Sequence, residues 1–216
     1  MLSFLPNRRL MFRAAMSILL VLGFLPQTYA HSASKSILVL GDSLSAEYGL
    51  SRGQGWVSLL EKKLADSSMN TSVINASISG ETTSGGRVRL PALVNRIKPD
   101  IVIIELGGND ALRGLSVAAS EENFRTMITA AKKANAEVLL IGMKIPPNYG
   151  KEYTQRFFAL YATLAKEQKI RLVPFLLEGI ADRDDLFQAD KIHPIASAHP
   201  LILNNVWPQL TPLLKK

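Results

Sequence analysis

The stretch ILVLGDSLSAEYG, residues 37 to 49, decides the fold. Its first four residues, Ile37 to Leu40, are aliphatic without any polar alternation. A strand that reads this way is buried on both faces, which requires helices above and below a parallel sheet. Gly41, Asp42, Ser43 and Ser45 then end the run with an acid and two hydroxyls. In open sheets of this kind, ligands bind beyond the carboxyl ends of the strands. The polar cluster is therefore either a turn that takes the chain off the sheet or the start of a site with a serine nucleophile.

Four more short β-rich runs follow, at residues 72–76, 101–106, 138–143 and 171–174, and two of them are also apolar throughout most of their length. Stretches with apolar residues three or four apart lie between them, at 56–65, 87–97, 121–134 and 152–167, and a last one closes the chain at about 198–214. This alternation predicts one three-layer α/β/α domain around a parallel sheet of about five strands. Gly107-Gly108, Pro146-Pro147 and Pro194 stand at the ends of runs, as punctuation. With 216 residues, an apolar fraction of 47% and a charged fraction of 20%, the chain has the size and composition of one globular core rather than a disordered protein.

Residues 1–30 are set apart from the fold. Arg8, Arg9 and Arg13 precede an apolar stretch at 14–25, followed by Pro26 and Thr28-Tyr29-Ala30, which is the order of a cleavable secretory leader. The apolar stretch is short for a membrane span, which needs roughly 20 residues. An uncleaved anchor is the alternative. Removing three arginines and no acids takes the net charge from +7 to +4. That mild excess, without a Lys/Arg block interleaved with aromatics, does not call for a nucleic-acid partner. The chain has no cysteine, which excludes disulfides, thiolate nucleophiles, cysteine metal sites and a lipidated cysteine after the leader.

Further polar clusters stand where the other strands end. They are Ser77-Ile78-Ser79-Gly80-Glu81-Thr82, Gly107-Gly108-Asn109-Asp110 and, before the last helix, Asp190-Lys191-Ile192-His193-Pro194. Acyl transfer asks for such a set. A serine hydroxyl needs an imidazole to take its proton, and the imidazole needs a carboxylate to fix its tautomer. The tetrahedral oxyanion needs aimed donors. Ser43 offers its own N–H, Gly80 an N–H with no side chain in the way, and Asn109 a side-chain NH₂ that aspartate would lack.

The four clusters resemble, in order, the four blocks of the SGNH hydrolases, also called the GDSL esterases and lipases. Gly41-Asp42-Ser43-Leu44, Gly80, Gly107-x-Asn109-Asp110 and Asp190-x-x-His193 carry the resemblance, which spans residues 37 to about 200. The extended strings GDSLSAEYG and GGNDALRG carry a closer match within the family. The resemblance implies a flavodoxin-like sheet and a Ser43–His193–Asp190 triad. It implies an oxyanion hole from Ser43, Gly80 and Asn109, and hydrolysis of acyl esters and thioesters with no metal or other cofactor. The chain departs from what close relatives within the family would carry at Lys191, where a glycine is usual, and at His199, where a glutamine is expected. A cation at 191 would disfavour a charged imidazole beside it.

Each residue also has a plainer reading. Ser45 is read as a capping hydroxyl, and Asp42 and Asp110 as hydrogen-bond acceptors at strand ends. Position 45 is not glycine, so the G-x-S-x-G elbow is absent and the α/β-hydrolase fold is disfavoured. His31 would be solvated at the mature N-terminus, and His199, with no acid at the right offset, is given a surface or packing role. Two remaining histidines and no cysteine make a zinc site a poor fit. Gly85-Gly86 is read as a turn leading into a helix, and Arg87 and Arg89 as a solvated face. Leu112, Leu115, Ile145, Pro146 and Phe187 lie near the rim loops and favour acyl chains.

The sequence thus predicts an exported serine hydrolase, periplasmic or secreted. It would act as a monomer on small acyl esters or thioesters, with no nucleic-acid partner and no membrane span once the leader is cleaved. A carbohydrate O-deacetylase on the same scaffold and a non-catalytic binding module are the alternatives.

Overall fold

The computed structural model describes Met1 and residues 35–67 and 69–215. Apart from Met1, the leader expected over residues 1–30 lies outside the described residues, as does His31. Five strands, β1 (Lys35–Gly41), β2 (Thr71–Asn75), β3 (Ile101–Glu105), β4 (Glu137–Ile141) and β5 (Arg171–Val173), form one parallel sheet in the order β2-β1-β3-β4-β5. Six helices connect and cover them: α1 (Trp56–Asp66), α2 (Thr83–Ile97), α3 (Gly108–Leu112), α4 (Val117–Lys133), α5 (Lys151–Gln168) and α6 (His199–Leu214). This is the doubly wound, flavodoxin-like α/β arrangement expected from the alternation of runs.

The strand order reverses between β1 and β3. Crossovers leaving these two neighbours go to opposite sides, so a crevice opens beyond their carboxyl ends. Ile37 to Leu40 and Ile101 to Ile104 at the sheet centre are all but inaccessible to solvent, as continuous apolar runs require. Trp56, Phe124, Phe157 and Tyr161 fill the layers outside, with Phe124 and Phe157 edge-on to Tyr161 at 5.5 and 5.4 Å between centroids. Among the described residues no helix is long and apolar enough to cross a membrane.

Two details differ from the sequence expectation. α3 is a single short helix inside what reads as a loop, because five residues are too few to show a period. Gly85 and Gly86 do not precede a helix but lie in the first turn of α2, whose N-cap Thr82 accepts from Gly85 N. A Cβ at Gly86 would stand 2.5 Å from Leu106 Cδ1, so its packing against the end of β3 is why a poor helix former sits there.

Candidate active site

The site begins where β1 ends. Gly41 is paired in register with Glu105 of β3, and a Cβ on it would lie 2.7 Å from Ser45 Oγ and 2.8 Å from Glu105 Oε2. Only glycine leaves room for the chain to turn sharply over a buried carboxyl. Asp42 follows, buried, with Oδ1 accepting from Leu44 N at 3.0 Å and Oδ2 accepting from Asn109 Nδ2 at 3.0 Å. The first bond shapes the turn that carries Ser43. The second ties the turn after β1 to α3, and directs the nitrogen of the Asn109 amide toward Asp42.

His193 comes from the loop before α6, 150 residues further along the chain, and its Nε2 stands 2.9 Å from Ser43 Oγ. Its Nδ1 lies 2.6 Å from Asp190 Oδ2. Asp190 Oδ1 accepts the backbone N–H groups of Ile192 and His193 at 2.9 and 3.0 Å. Those bonds, led by the His193 N–H, hold the Asp190 carboxyl down at about 2, so it is a charged acceptor across the whole neutral range. A charged acceptor at Nδ1 keeps the ring proton there and leaves Nε2 to accept from serine.

The loop is anchored by residues that the sequence did not single out. Gln188 N donates to His193 O at 2.7 Å, and Gln188 Nε2 donates to Tyr48 O at 2.9 Å and Pro194 O at 3.1 Å. The Tyr48 ring lies over the imidazole, 4.3 Å between centroids. Across the crevice, Gly80 has φ +79°, a backbone state that favours glycine, and its carbonyl accepts from Arg113 at 3.0 Å. That bond turns the carbonyl away to Arg113. Among the described residues neither Ser43 N–H nor Gly80 N–H has a hydrogen-bond acceptor. The Ser43 and Gly80 amides are thus free on the loops after β1 and β2. The Asn109 carboxamide is oriented from α3 by Asp42, the residue before the hydroxyl that the imidazole backs.

A family model described as the GDSL-like Lipase/Acylhydrolase family matches residues 39–201. The chain belongs to this family. It is 50% identical over 183 residues to the esterase TesA of Pseudomonas aeruginosa, covering 85% of this chain and 91% of the other. It is 43% identical over 187 residues to the thioesterase 1/protease 1/lysophospholipase L1 of Escherichia coli, covering 87% and 88%. The solved structure of the psychrotrophic esterase EstA from Pseudoalteromonas, inhibited by monoethylphosphonate, superposes with a TM-score of 0.80 at 39% identity, covering 84% of this chain and all of the other. As a GDSL acylhydrolase, the chain is a hydrolase of acyl esters.

In this GDSL hydrolase several residues depart from their plainer readings. Ser45 caps no helix. It is buried, donates to Glu105 Oε2 at 2.7 Å and accepts from Trp56 Nε1 at 3.2 Å. Arg89 is not on a solvated face, because it pairs with Glu81 at 2.6 Å and donates to Ala76 O at 2.5 Å. Arg87 is exposed, as read. Asp110 is an acceptor, taking Thr83 N at 2.9 Å, the Thr83 hydroxyl and the Ser120 hydroxyl. Lys191 adopts φ +58°, which explains why glycine suits the position, and its ammonium pairs with Asp184 at 3.0 Å. Its charge therefore has an acid partner of its own.

His199 is not a surface residue. It is buried at the start of α6, and its Nδ1 accepts the Trp56 N–H at 3.0 Å, satisfying an orphan donor at the start of α1. An imidazole committed to a backbone amide is no rival base for Ser43. Burial pushes its pKa below the ordinary 6.5, against a backbone hydrogen bond to Pro194 and the charge of Glu47, which act the other way. In the unfolded chain the ring takes its proton at higher pH than in the fold. The unfolded state then holds more protons in that window, so the contribution is full above about 6.5 and is lost as pH falls below it. Urea midpoints should therefore rise with pH over this range, and His199→Gln, which keeps an acceptor without titrating, should flatten the rise. A rise of the same size in the variant would assign it to another group. His199→Ala is expected to hold activity within about tenfold while lowering stability by roughly 1 to 3 kcal/mol, because a buried N–H is orphaned.

Proposed function

We propose that this chain is an esterase and thioesterase in which Ser43 forms an acyl-enzyme. The relay of 2.6 and 2.9 Å from Asp190 through His193 to Ser43 Oγ is the observation that carries this reading. His193 Nε2 takes the hydroxyl proton as Oγ attacks the acyl carbon, and the carbonyl oxygen becomes an oxyanion among Ser43 N–H, Gly80 N–H and Asn109 Nδ2. The imidazolium, held by Asp190, then protonates the departing alkoxide or thiolate. Water repeats the sequence on the acyl-enzyme and releases the acid. An apolar rim supports acyl chains as the group recognised. Leu115, Tyr48, Ile78 and Ile192 are 42%, 50%, 48% and 46% exposed, and Leu112, Ile145 and Phe187 are half-buried. The names of the esterase and thioesterase relatives support the two leaving-group classes.

A fluorophosphonate probe tests the nucleophile, since an activated hydroxyl beside an oxyanion hole attacks phosphorus as it attacks a carbonyl. Peptide mapping is expected to find the label on Ser43. A label on Ser45, or none on active protein, would remove the assignment. We further propose that residues 1–30 form a leader cleaved on export, most simply after Ala30, so that the protein works outside the cytoplasm. The intact mass of protein released by osmotic shock is expected to begin at His31 or a few residues later. A full-length mass in the membrane fraction would contradict this.

A further inference from the structure

We propose that Glu105 is a positioning residue that remains protonated in the folded enzyme, and thereby keeps Asp42 as the carboxylate that aims the Asn109 amide. The inference rests on the proposed role of Asn109 as an oxyanion donor. Glu105 is the last residue of β3, fully buried, one strand away from Gly41. It receives the Ser45 hydroxyl at 2.7 Å and the Asp42 N–H at 3.3 Å, both on Oε2. Its Oε1 is buried and has no partner among the described residues. An ionised carboxylate in such a place needs donors on both oxygens, and an unpaired buried charge costs several kcal/mol. Half of the Glu105 carboxyl has none.

Asp42 is furnished in the opposite way. Both of its oxygens accept N–H donors at 3.0 Å, and it is near enough to His193 to feel the imidazole's charge. Two neighbouring buried carboxyls hold one proton between them more readily than none. The donors decide which one keeps it. Burial first, and the charge of Asp42 second, push the Glu105 carboxyl well above the usual range. Burial lifts Asp42 as well, but the Leu44 and Asn109 hydrogen bonds limit this to about 6, so Asp42 is charged at neutral pH. The other titratable neighbour is Tyr161 of α5, whose hydroxyl donates to Leu106 O at 2.9 Å and whose own pKa burial raises. It supplies no positive charge, and among the described residues no Lys or Arg acts on either carboxyl.

The consequence reaches the reaction through four bonds. Trp56 Nε1 and Glu105 fix Ser45, Glu105 fixes the Asp42 backbone, and Asp42 Oδ2 fixes which end of the Asn109 amide is nitrogen. A second charge at 105 would repel Asp42, and a proton moved onto Asp42 would weaken its hold on the Asn109 amide.

Two variants and one spectrum test this. E105Q replaces a neutral acid by a neutral amide of the same shape, whereas E105L removes every polar atom. E105L is expected to lower kcat at least about tenfold with KM changed less than about threefold, and E105Q to restore most of the loss, because the damage is to a transition-state donor. In infrared spectra at pH 8, where exposed carboxyls are ionised, the wild type is expected to show a neutral-acid carbonyl stretch that E105Q lacks. If E105L does not fold, that band still decides. A wild-type spectrum without it, a band that survives E105Q, or an E105Q as impaired as a folded E105L would overturn the proposal. The reading it rests on fails separately. Activity surviving in S43A or full kcat in N109A would remove that reading, while the infrared band reports on Glu105 alone.

Discussion

His193→Ala is expected to lose about 10⁴-fold or more in kcat, with the fold intact by circular dichroism. Among the described residues the imidazole is the only group within hydrogen-bond distance of Ser43 Oγ, so alanine is expected to leave the hydroxyl with no base. The Asp190 carboxylate does not fill the gap, because it stands behind the ring, bonded to Nδ1 and to two backbone amides. What survives is the contribution of oxyanion donors and substrate binding, which in serine hydrolases leaves a residue of catalysis well short of the enzymatic rate. The measurement is steady-state hydrolysis of p-nitrophenyl esters, read beside His199→Ala. If His199→Ala were the inert variant and His193→Ala the active one, the relay through Asp190 would be wrong. If neither changed the rate, Ser43 would not be acting with a histidine at all.

Asn109→Ala is expected to lower kcat by roughly 10² to 10³ and to leave KM nearly unchanged, because an oxyanion donor bonds most strongly to charge that exists only in the transition state. The amide is already held by Asp42 Oδ2 at 3.0 Å, so it need not reorganise as the charge develops. That preorganisation separates it from a surface asparagine, which would have to give up water first. Rates over an ester series, from acetyl to palmitoyl, give kcat and KM for both proteins. A loss confined to KM would make Asn109 a contact for the bound substrate and leave the hole to the two backbone amides.

The pattern of apolar runs made the sheet legible, since β1, β3 and β4 are buried on both faces and carry no alternation to mislead. The fold then told which residues to examine, those just after strands. Ser43, Gly80 and Asn109 stand soon after β1, β2 and β3, whereas Asp190 and His193 lie in the loop before α6, well past β5. What stayed hidden has a common cause. Gln188, Tyr48 and Arg113 act through a backbone carbonyl or a ring face, and no spacing in the chain announces such contacts. Ser45 and His199 were visible as polar residues but not as buried ones, because each is satisfied by a partner distant in sequence, Glu105 and the Trp56 amide. Lys191 shows the reverse case. Its departure from glycine was plain in the chain, while the ion pair that occupies its charge was not.

Ser43 and His193, the base proposed for it, are separated by 150 residues, with four of the five strands between them. A nascent or truncated chain can complete most of the sheet and still carry an ordinary serine. On the proposed relay, Ser43 gains its base only once the segment ahead of α6 has docked. On that reading, catalytic competence is a late event in the life of the molecule, reached only once the C-terminal part of the chain is in place.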